Sequence, residues 1–213
     1  MTGIHPLGTV ADLWRYPIKS LLAESLARID IEAGGIVGDR RRAMFVASPG
    51  HARSGRTYRG KENALLHTVA TVERAAALAD SSDVAVSARD EGPYFDAEPI
   101  SLVVDAWLAA LETLVGMRLD PQRFRPNIFV RAAPDFAADE AMLVGRTIAA
   151  GSARFEVVST IERCVTTTYD VATGEATPLV LRVLAQQRAN VMGIYCRPSV
   201  PGRVELGDAL TLT

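Results

Sequence analysis

The sequence predicts a protein built mainly of β-strands with a few helices. Short runs of β-prone residues recur along the chain, turn signals separate them, and only two stretches carry a clean helical period. The strand-like runs cover residues 9–14, 26–31, 43–47, 100–104, 127–130, 154–159, 164–169, 191–196 and 203–206. Many short strands with glycine and proline punctuation point to a barrel or to a pair of packed sheets. Gly34-Gly35, Gly38-Asp39, Thr173-Gly174 and Gly207-Asp208 read as turns between them.

Two helices are legible. Asp105 is placed to cap residues 106–115, with Leu108, Leu111, Leu114 and Val115 on one face and Gly116 as the stop. Thr177-Pro178 opens the second, since proline is favoured in a first turn, and Leu179, Val180, Val183 and Leu184 form its apolar stripe. Residues 62–80 fit two readings. Leu65, Leu66, Val69, Val72 and Ala76 follow a helical period, and residues 65–72 equally suit a strand that runs into a short helix. Residues 48–59, rich in Gly, Ser and Arg, read as an exposed loop.

With 213 residues, 48% of them apolar, the chain can bury a sizeable core. Its net charge of −2 gives no global attraction for nucleic acid or an anionic membrane, so an anionic ligand needs a local group of cations. Two cysteines, Cys164 and Cys196, are too few for a disulfide-stapled fold, although one bridge between them is compatible with the sequence. Asp12 and Trp14 interrupt the apolar core that a signal peptide needs, and no apolar run approaches membrane-spanning length. The expectation is a cytoplasmic protein with neither membrane nor nucleic-acid partners.

Three places concentrate groups able to do chemistry. The first joins Tyr16-Pro17-Ile18-Lys19-Ser20 to Gly38-Asp39-Arg40-Arg41-Arg42. Lysine is a flexible point charge and arginine a rigid donor fork, and together they suit a phosphate or a polar heterocycle. For Arg41 and Arg42 a solvated rim is the better reading; for Lys19 and Arg40 the two readings balance. The second is Arg123-Phe124-Arg125-Pro126-Asn127, which sets Arg125 and Asn127 at the mouth of a strand, either to orient a ligand or as a turn with Asn127 bonded to backbone. The third is Glu162-Arg163-Cys164-Val165-Thr166-Thr167-Thr168. As a strand it sets Cys164, Thr166 and Thr168 on one face. Alone, a strand cysteine is more often core than reactive, and Cys196 reads as core.

In this order, those motifs resemble the MOSC family, named for the molybdenum cofactor sulfurase C-terminal domain. They are similar to the branch that carries an N-terminal β-barrel domain, as in the mitochondrial amidoxime-reducing component. Thr173-Gly174-Glu175 and Gly207-Asp208 extend the likeness over nearly the whole chain. The resemblance implies a MOSC-type β-barrel core over residues 99–213 and a smaller, shortened N-terminal β-barrel-like subdomain over residues 1–98. It implies the molybdenum cofactor, molybdopterin, with Cys164 as catalytic residue and metal ligand. Lys19, Ser20, Arg40, Arg125, Asn127, Thr166 and Thr168 are the implied cofactor-binding residues. In that cofactor the pterin's sulfurs and oxo groups already hold the metal, so the protein need add one soft anionic ligand, for which thiolate is suited.

The sequence also departs from the family pattern. Ile161-Glu162-Arg163-Cys164 stands where relatives often read Cys-Ser/Thr-Arg-Cys, and the stretch between Arg42 and Ile100 is short and lacks their Thr-Ala-Arg-Gln segment. A Glu162 on the Cys164 face opposes an anionic cofactor unless Arg40 or Arg125 pairs with it.

The expected activity is reduction of a small N-hydroxylated or N-oxide substrate, with electrons from a separate ferredoxin, flavoprotein or cytochrome. Two alternatives stand beside it: a non-catalytic carrier of the cofactor or of a persulfide sulfur on Cys164, and a degenerate module without cofactor. Zinc is disfavoured, because His5, His51 and His67 lie far in sequence from both cysteines with no zinc-motif spacing.

Overall fold

The computed structural model describes residues 5–213. The strands are β1 (His5–Arg15), β2 (Glu24–Leu26), β3 (Arg28–Glu32), β4 (Gly35–Ile36), β5 (Ala43–Val46), β6 (Val86–Arg89), β7 (Ile100–Val104), β8 (Ile128–Ala132), β9 (Thr147–Ala150), β10 (Ala153–Glu162), β11 (Val191–Val200), β12 (Gly202–Glu205) and β13 (Ala209–Leu212). The helices are α1 (Val72–Asp80), α2 (Asp105–Val115), α3 (Glu140–Leu143) and α4 (Pro178–Gln187), joined by 3-10 turns at Ala64–Thr68, Pro121–Phe124 and Val165–Thr168.

Seven strands close a barrel in the order β13-β9-β10-β11-β7-β8-β1, sealed by pairing of β1 with β13, and β2 lies alongside β1. Closure removes the exposed edges that an open sheet leaves. The neighbours in this ring run antiparallel except β7 and β8, which run parallel. A parallel pair needs a crossover, and α2 lies within it, packing on both strands. Every residue of β7 is buried, as expected of a strand covered on both faces.

The barrel is stitched from both ends of the sequence. β1 lies between β8 and the C-terminal β13, while β12 leaves the barrel to pair with β3, which in turn pairs with β4. A second apolar cluster, separate from the barrel core, gathers Ile18 and Leu21 from the segment after β1, Met44 and Val46 from β5, Tyr58 from the loop that follows, Leu66 from the 64–68 turn, and Ala75 and Ala79 from α1.

Several sequence expectations need correction. Residues 164–169 are not a strand: β10 ends at Glu162 and Val165–Thr168 forms a 3-10 turn. The threonine hydroxyls explain this, because Thr167 Oγ1 donates to the Cys164 carbonyl at 2.9 Å and Thr168 Oγ1 to the Val165 carbonyl at 2.7 Å, bending the chain back on itself. Asp105 does not cap α2. It begins the helix, and its Oδ1 accepts from the Ala132 amide at 2.8 Å. Leu114 and Leu179 are 42% and 41% exposed, so neither belongs to a buried stripe. On α2, Glu112 takes the inward position with Trp107, Leu108, Leu111 and Val115, its carboxylate accepting from Leu119 N at 2.8 Å and pairing with Arg118 at 2.8 Å. Gly116 does end α2, in the left-handed conformation at φ 78° that glycine adopts without strain. The open stretch 62–80 resolves as a 3-10 turn followed by α1, with no strand.

A buried polar knot joins the N-terminal segment to the barrel. Asn127 is 0% exposed; its Nδ2 donates to the Trp14 carbonyl and to Asp39 Oδ1, both at 3.2 Å, and its Oδ1 accepts from Ser101 N at 3.1 Å and Ser101 Oγ at 3.0 Å. Asn127→Ala strands several of these partners in a dry interior, where each unsatisfied group costs about 1–3 kcal/mol. A loss of about 2–4 kcal/mol in urea unfolding is expected; a loss under about 0.5 kcal/mol, the range of an ordinary surface change, would count against the knot.

Candidate functional site

A cavity of about 310 Å³ opens where the two halves of the sequence meet. Lys19, Ser20, Arg59, Lys61 and Asp96 line it from the first half, and Glu162, Arg163, Cys164, Thr166, Thr167 and Tyr195 from the second. Four of these residues are cationic and two acidic, a local positive excess in a chain of net charge −2.

Cys164 sits at the N-cap of the 165–168 turn, half-buried and reduced, and its Sγ lies 3.1 Å from Thr166 Oγ1. Two arginines hold the turn. Arg163 is half-buried; its Nε donates to the Met192 carbonyl at 2.7 Å, its Nη2 to the same oxygen, and its Nη1 to the Phe124 carbonyl at 2.9 Å. Burial pushes its pKa down to about 10. Arg123 donates to the Thr168 carbonyl at 2.8 Å and to Asp170 at 3.0 Å. The thiol is therefore presented by a braced turn on the cavity side of β10.

Lys19 reaches the cavity through a 2.6 Å ion pair with Asp96. Arg59 pairs with Glu62 at 2.9 Å, while Lys61 is exposed at the wall. Glu162 lines the same space and pairs with neither Arg40 nor Arg125. Tyr195 adds a phenol whose pKa is raised by burial and by Asp96, against the pull of Arg163 and Arg40, so it stays protonated at neutral pH.

Arg40, Arg125, Asn127 and Thr168 stand behind this wall. Arg40 and Arg125 place their guanidinium carbons 4.8 Å and 4.2 Å from the Tyr16 ring centre. Arg40 pairs with the buried Asp39 carboxylate, which also accepts from Tyr16 N at 2.8 Å. Burial, followed by Arg125 and Arg40 acting the other way, leaves the Tyr16 pKa raised to about 12, and its hydroxyl donates to the Pro126 carbonyl at 3.1 Å. Burial, with like-charge repulsion from Arg40, holds Arg125 at about 10, and its Nη2 is buried without a partner among the described residues. Asn127 bonds to backbone and to Asp39, as the turn reading anticipated. Thr168 is 3% exposed and braces the turn, whereas its neighbours Thr166 and Thr167 line the cavity.

Ser20, Arg40 and Arg125 share a further feature: φ values of 71°, 47° and 50°. Side-chain-bearing residues rarely occupy the left-handed region, and such strain gathers at functional sites.

Sequence reasoning overlooked Arg59, Lys61, Asp96, Tyr195 and His67. Arg59 falls in a stretch that reads as an exposed loop, and in the sequence His67 has only the zinc reading. His67 is 4% exposed and its Nδ1 accepts from Arg125 Nη1 at 3.2 Å. Among the described residues no group of three or more His, Cys, Asp or Glu could hold a metal by itself. Cys196 is 1% exposed core with its pKa pushed up to about 12 by burial, and both cysteines are free. No helix among the described residues is long and apolar enough to cross a membrane.

Comparison with known proteins gives the family to which the chain belongs. The model of the MOSC domain matches residues 89–211, and that of the MOSC N-terminal beta barrel domain matches residues 7–93. Over 133 residues the chain is 32% identical to the molybdenum cofactor sulfurase of Caenorhabditis briggsae, an alignment covering 59% of this chain and 18% of that protein. The chain thus spans under a fifth of the curated relative it matches. The fold is similar to that of the YuaD protein of Bacillus subtilis, with a TM-score of 0.61 at 17% identity over 100% of this chain and 98% of that one. A solved structure described as a hypothetical protein follows at TM-score 0.50 and 11% identity, over 97% of this chain and 69% of that one. At such identities the likeness is one of fold. Because the MOSC domain model spans more than half of the chain, and the N-terminal model much of the remainder, the chain belongs to the MOSC domain family.

Proposed function

We propose that this chain binds the molybdenum cofactor in the cavity beside Cys164 and acts as a cytoplasmic oxidoreductase on small N-hydroxylated or N-oxide compounds. The observation that carries the reading is one juxtaposition: a free, half-buried thiol from the second half of the chain faces Lys19, Arg59 and Lys61 from the first. A soft thiolate suits molybdenum, and the cations suit a phosphate-bearing pterin. The donor set fits the group: although Glu162 is paired with neither Arg40 nor Arg125, four lining cations outnumber it and the Lys19-paired Asp96.

When bound, the cofactor supplies the two-electron reduction; with two protons the substrate oxygen leaves as water. The chain's own residues position and shield. Cys164 is the protein ligand to the metal, and Thr166 Oγ1, at 3.1 Å, is placed to donate a hydrogen bond to its sulfur. Lys19 and Lys61 hold the phosphate end, while Lys19 also neutralises Asp96, a carboxylate that otherwise repels it. Ser20 and Tyr195 offer hydroxyls to polar atoms, and Tyr195 Oη keeps its proton available. Arg40 and Arg125 add positive potential from behind the wall, with Asn127 and Thr168 fixing the segments that carry them and the thiol. The electrons come from a separate ferredoxin, flavoprotein or cytochrome.

A second reading follows from the accessibility of the thiol and from the likeness to a molybdenum cofactor sulfurase. In it Cys164 carries the cofactor, or a persulfide sulfur, for delivery to another enzyme. Protein that restores an apo-enzyme yet reduces no N-oxygenated compound would favour that reading over the first.

Two measurements test the proposal. In protein from a molybdenum-competent host, Cys164→Ser is expected to keep its fold by circular dichroism but lose N-oxide reduction by at least about 100-fold, the scale on which removal of a metal-site group acts. Wild-type turnover in that variant would rule out the ligand role. Lys19→Ala removes a cavity cation and leaves Asp96 uncompensated, so pterin fluorescence recovered per mole of protein should fall about tenfold or more. Unchanged pterin content would move the phosphate elsewhere.

A further inference from the structure

The buried imidazole of His67 touches three segments that meet at the cavity wall or directly behind it. Its Nδ1 accepts from Arg125 Nη1 at 3.2 Å; since guanidinium only donates, the ring carries its proton on Nε2. That Nε2 is pressed against Gly60, where a Cβ would stand 2.1 Å from it, so position 60 tolerates no side chain. Gly60 is itself buried and is flanked by Arg59 and Lys61, two of the cations that line the cavity. Ser20, whose backbone also faces the ring, lines the cavity too.

The charged and titratable groups around the ring agree on one protonation state. Arg125 approaches from the 121–127 segment, Tyr169 packs at 6.1 Å between ring centres, and Arg59 and Lys61 flank the glycine beneath. Burial, then Arg125, pull the His67 pKa down to about 3, with only the Ser20 backbone acting the other way. The ring is neutral at any physiological pH, as an acceptor for Arg125 must be.

We propose that His67 is a positioning residue: a neutral imidazole that anchors Arg125 on one side and, through Gly60, sets Arg59 and Lys61 against the cavity that Cys164 faces. This rests on the reading above that the cavity receives an anionic ligand, and it names how that cationic wall is held in place. Protonation of His67 would replace an acceptor by a second cation facing Arg125 and push the two apart.

The test needs neither metal nor pterin. In cofactor-free protein Cys164 is the accessible thiol and Cys196 is buried, so alkylation reports on the cavity alone. The ratio of its rates with anionic iodoacetate and neutral iodoacetamide measures the local positive potential and cancels the thiol's own ionisation. His67→Phe and Gly60→Ala should each lower that ratio by about three- to tenfold, while His67→Gln, whose amide can still accept from Arg125, should stay within about twofold of wild type. A folded His67→Phe or Gly60→Ala protein with the wild-type ratio overturns the proposal. Should these variants not fold, the wild type decides. Imidazole nitrogen signals of His67 are expected to keep an unprotonated Nδ1 from about pH 8 to pH 5, where a free histidine titrates, and an imidazolium in that range overturns the assignment. Because cofactor content is not measured, the fate of this proposal is separable from that of the molybdenum reading.

Discussion

The buried carboxylate of Asp39 is the constraint on which the rest of the site depends. A carboxylate 1% exposed is tolerated only if its oxygens are fully engaged. Here they accept from the Tyr16 amide, the Asn127 side chain and Arg40. Each partner then fixes something else. Tyr16 becomes the platform for two guanidinium groups, Asn127 joins Trp14 on β1 to Ser101 on β7, and Arg40 is held in a left-handed backbone conformation. One charge thereby ties the N-terminal segment to the barrel at the place where the cavity forms. The pairing of β1 with β13 and of β12 with β3 makes the same connection through the backbone.

How much of this was legible in the sequence depended on whether the signal was local. β7 appears at the residues its mostly apolar run marks out, and α2 stops at Gly116 because a left-handed residue is needed there. β9 and β13 were missed, being four-residue strands, one of them rich in alanine, whose identity comes from closing the barrel against each other. The threonine run after Cys164 has strand propensity but uses its hydroxyls to bond back to preceding carbonyls, a competition that propensity does not record. Candidate residues fared in the same way. Lys19, Ser20, Cys164 and Thr166 line the cavity, whereas Arg59, Lys61 and Asp96 arrive there through contacts that no local pattern announces.

The correction at Cys164 changes the chemistry as well as the geometry. On a strand, alternation would have placed Thr168 beside the thiol and Thr167 on the opposite face. In the turn, Thr167 and Thr168 spend their hydroxyls on backbone, which leaves Thr166 Oγ1 as the neighbour of the sulfur. Arg163 and Arg123 direct their guanidinium groups to carbonyls around the turn, and to Asp170 in the case of Arg123, so they fix the thiol's position.

The charge balance behind the cavity gives the site its direction. Arg40 and Arg125 flank a single tyrosine ring, and one fully buried carboxylate, that of Asp39, lies with them. Their mutual repulsion contributes to the lowered pKa of Arg125, yet at about 10 it remains charged at neutral pH. The face of the Tyr16 ring supplies part of the missing compensation, since its quadrupole is negative above and below the plane. Asp96, in the cavity lining, supplies some more but is already paired with Lys19. Two guanidinium groups thus share one full countercharge and two weaker ones, and the uncompensated remainder is felt in the cavity, the nearby space in which an anion can gather. A preorganised positive group of this kind requires no rearrangement when an anion arrives, and the neutral His67 keeps Arg125 aligned without adding to the repulsion.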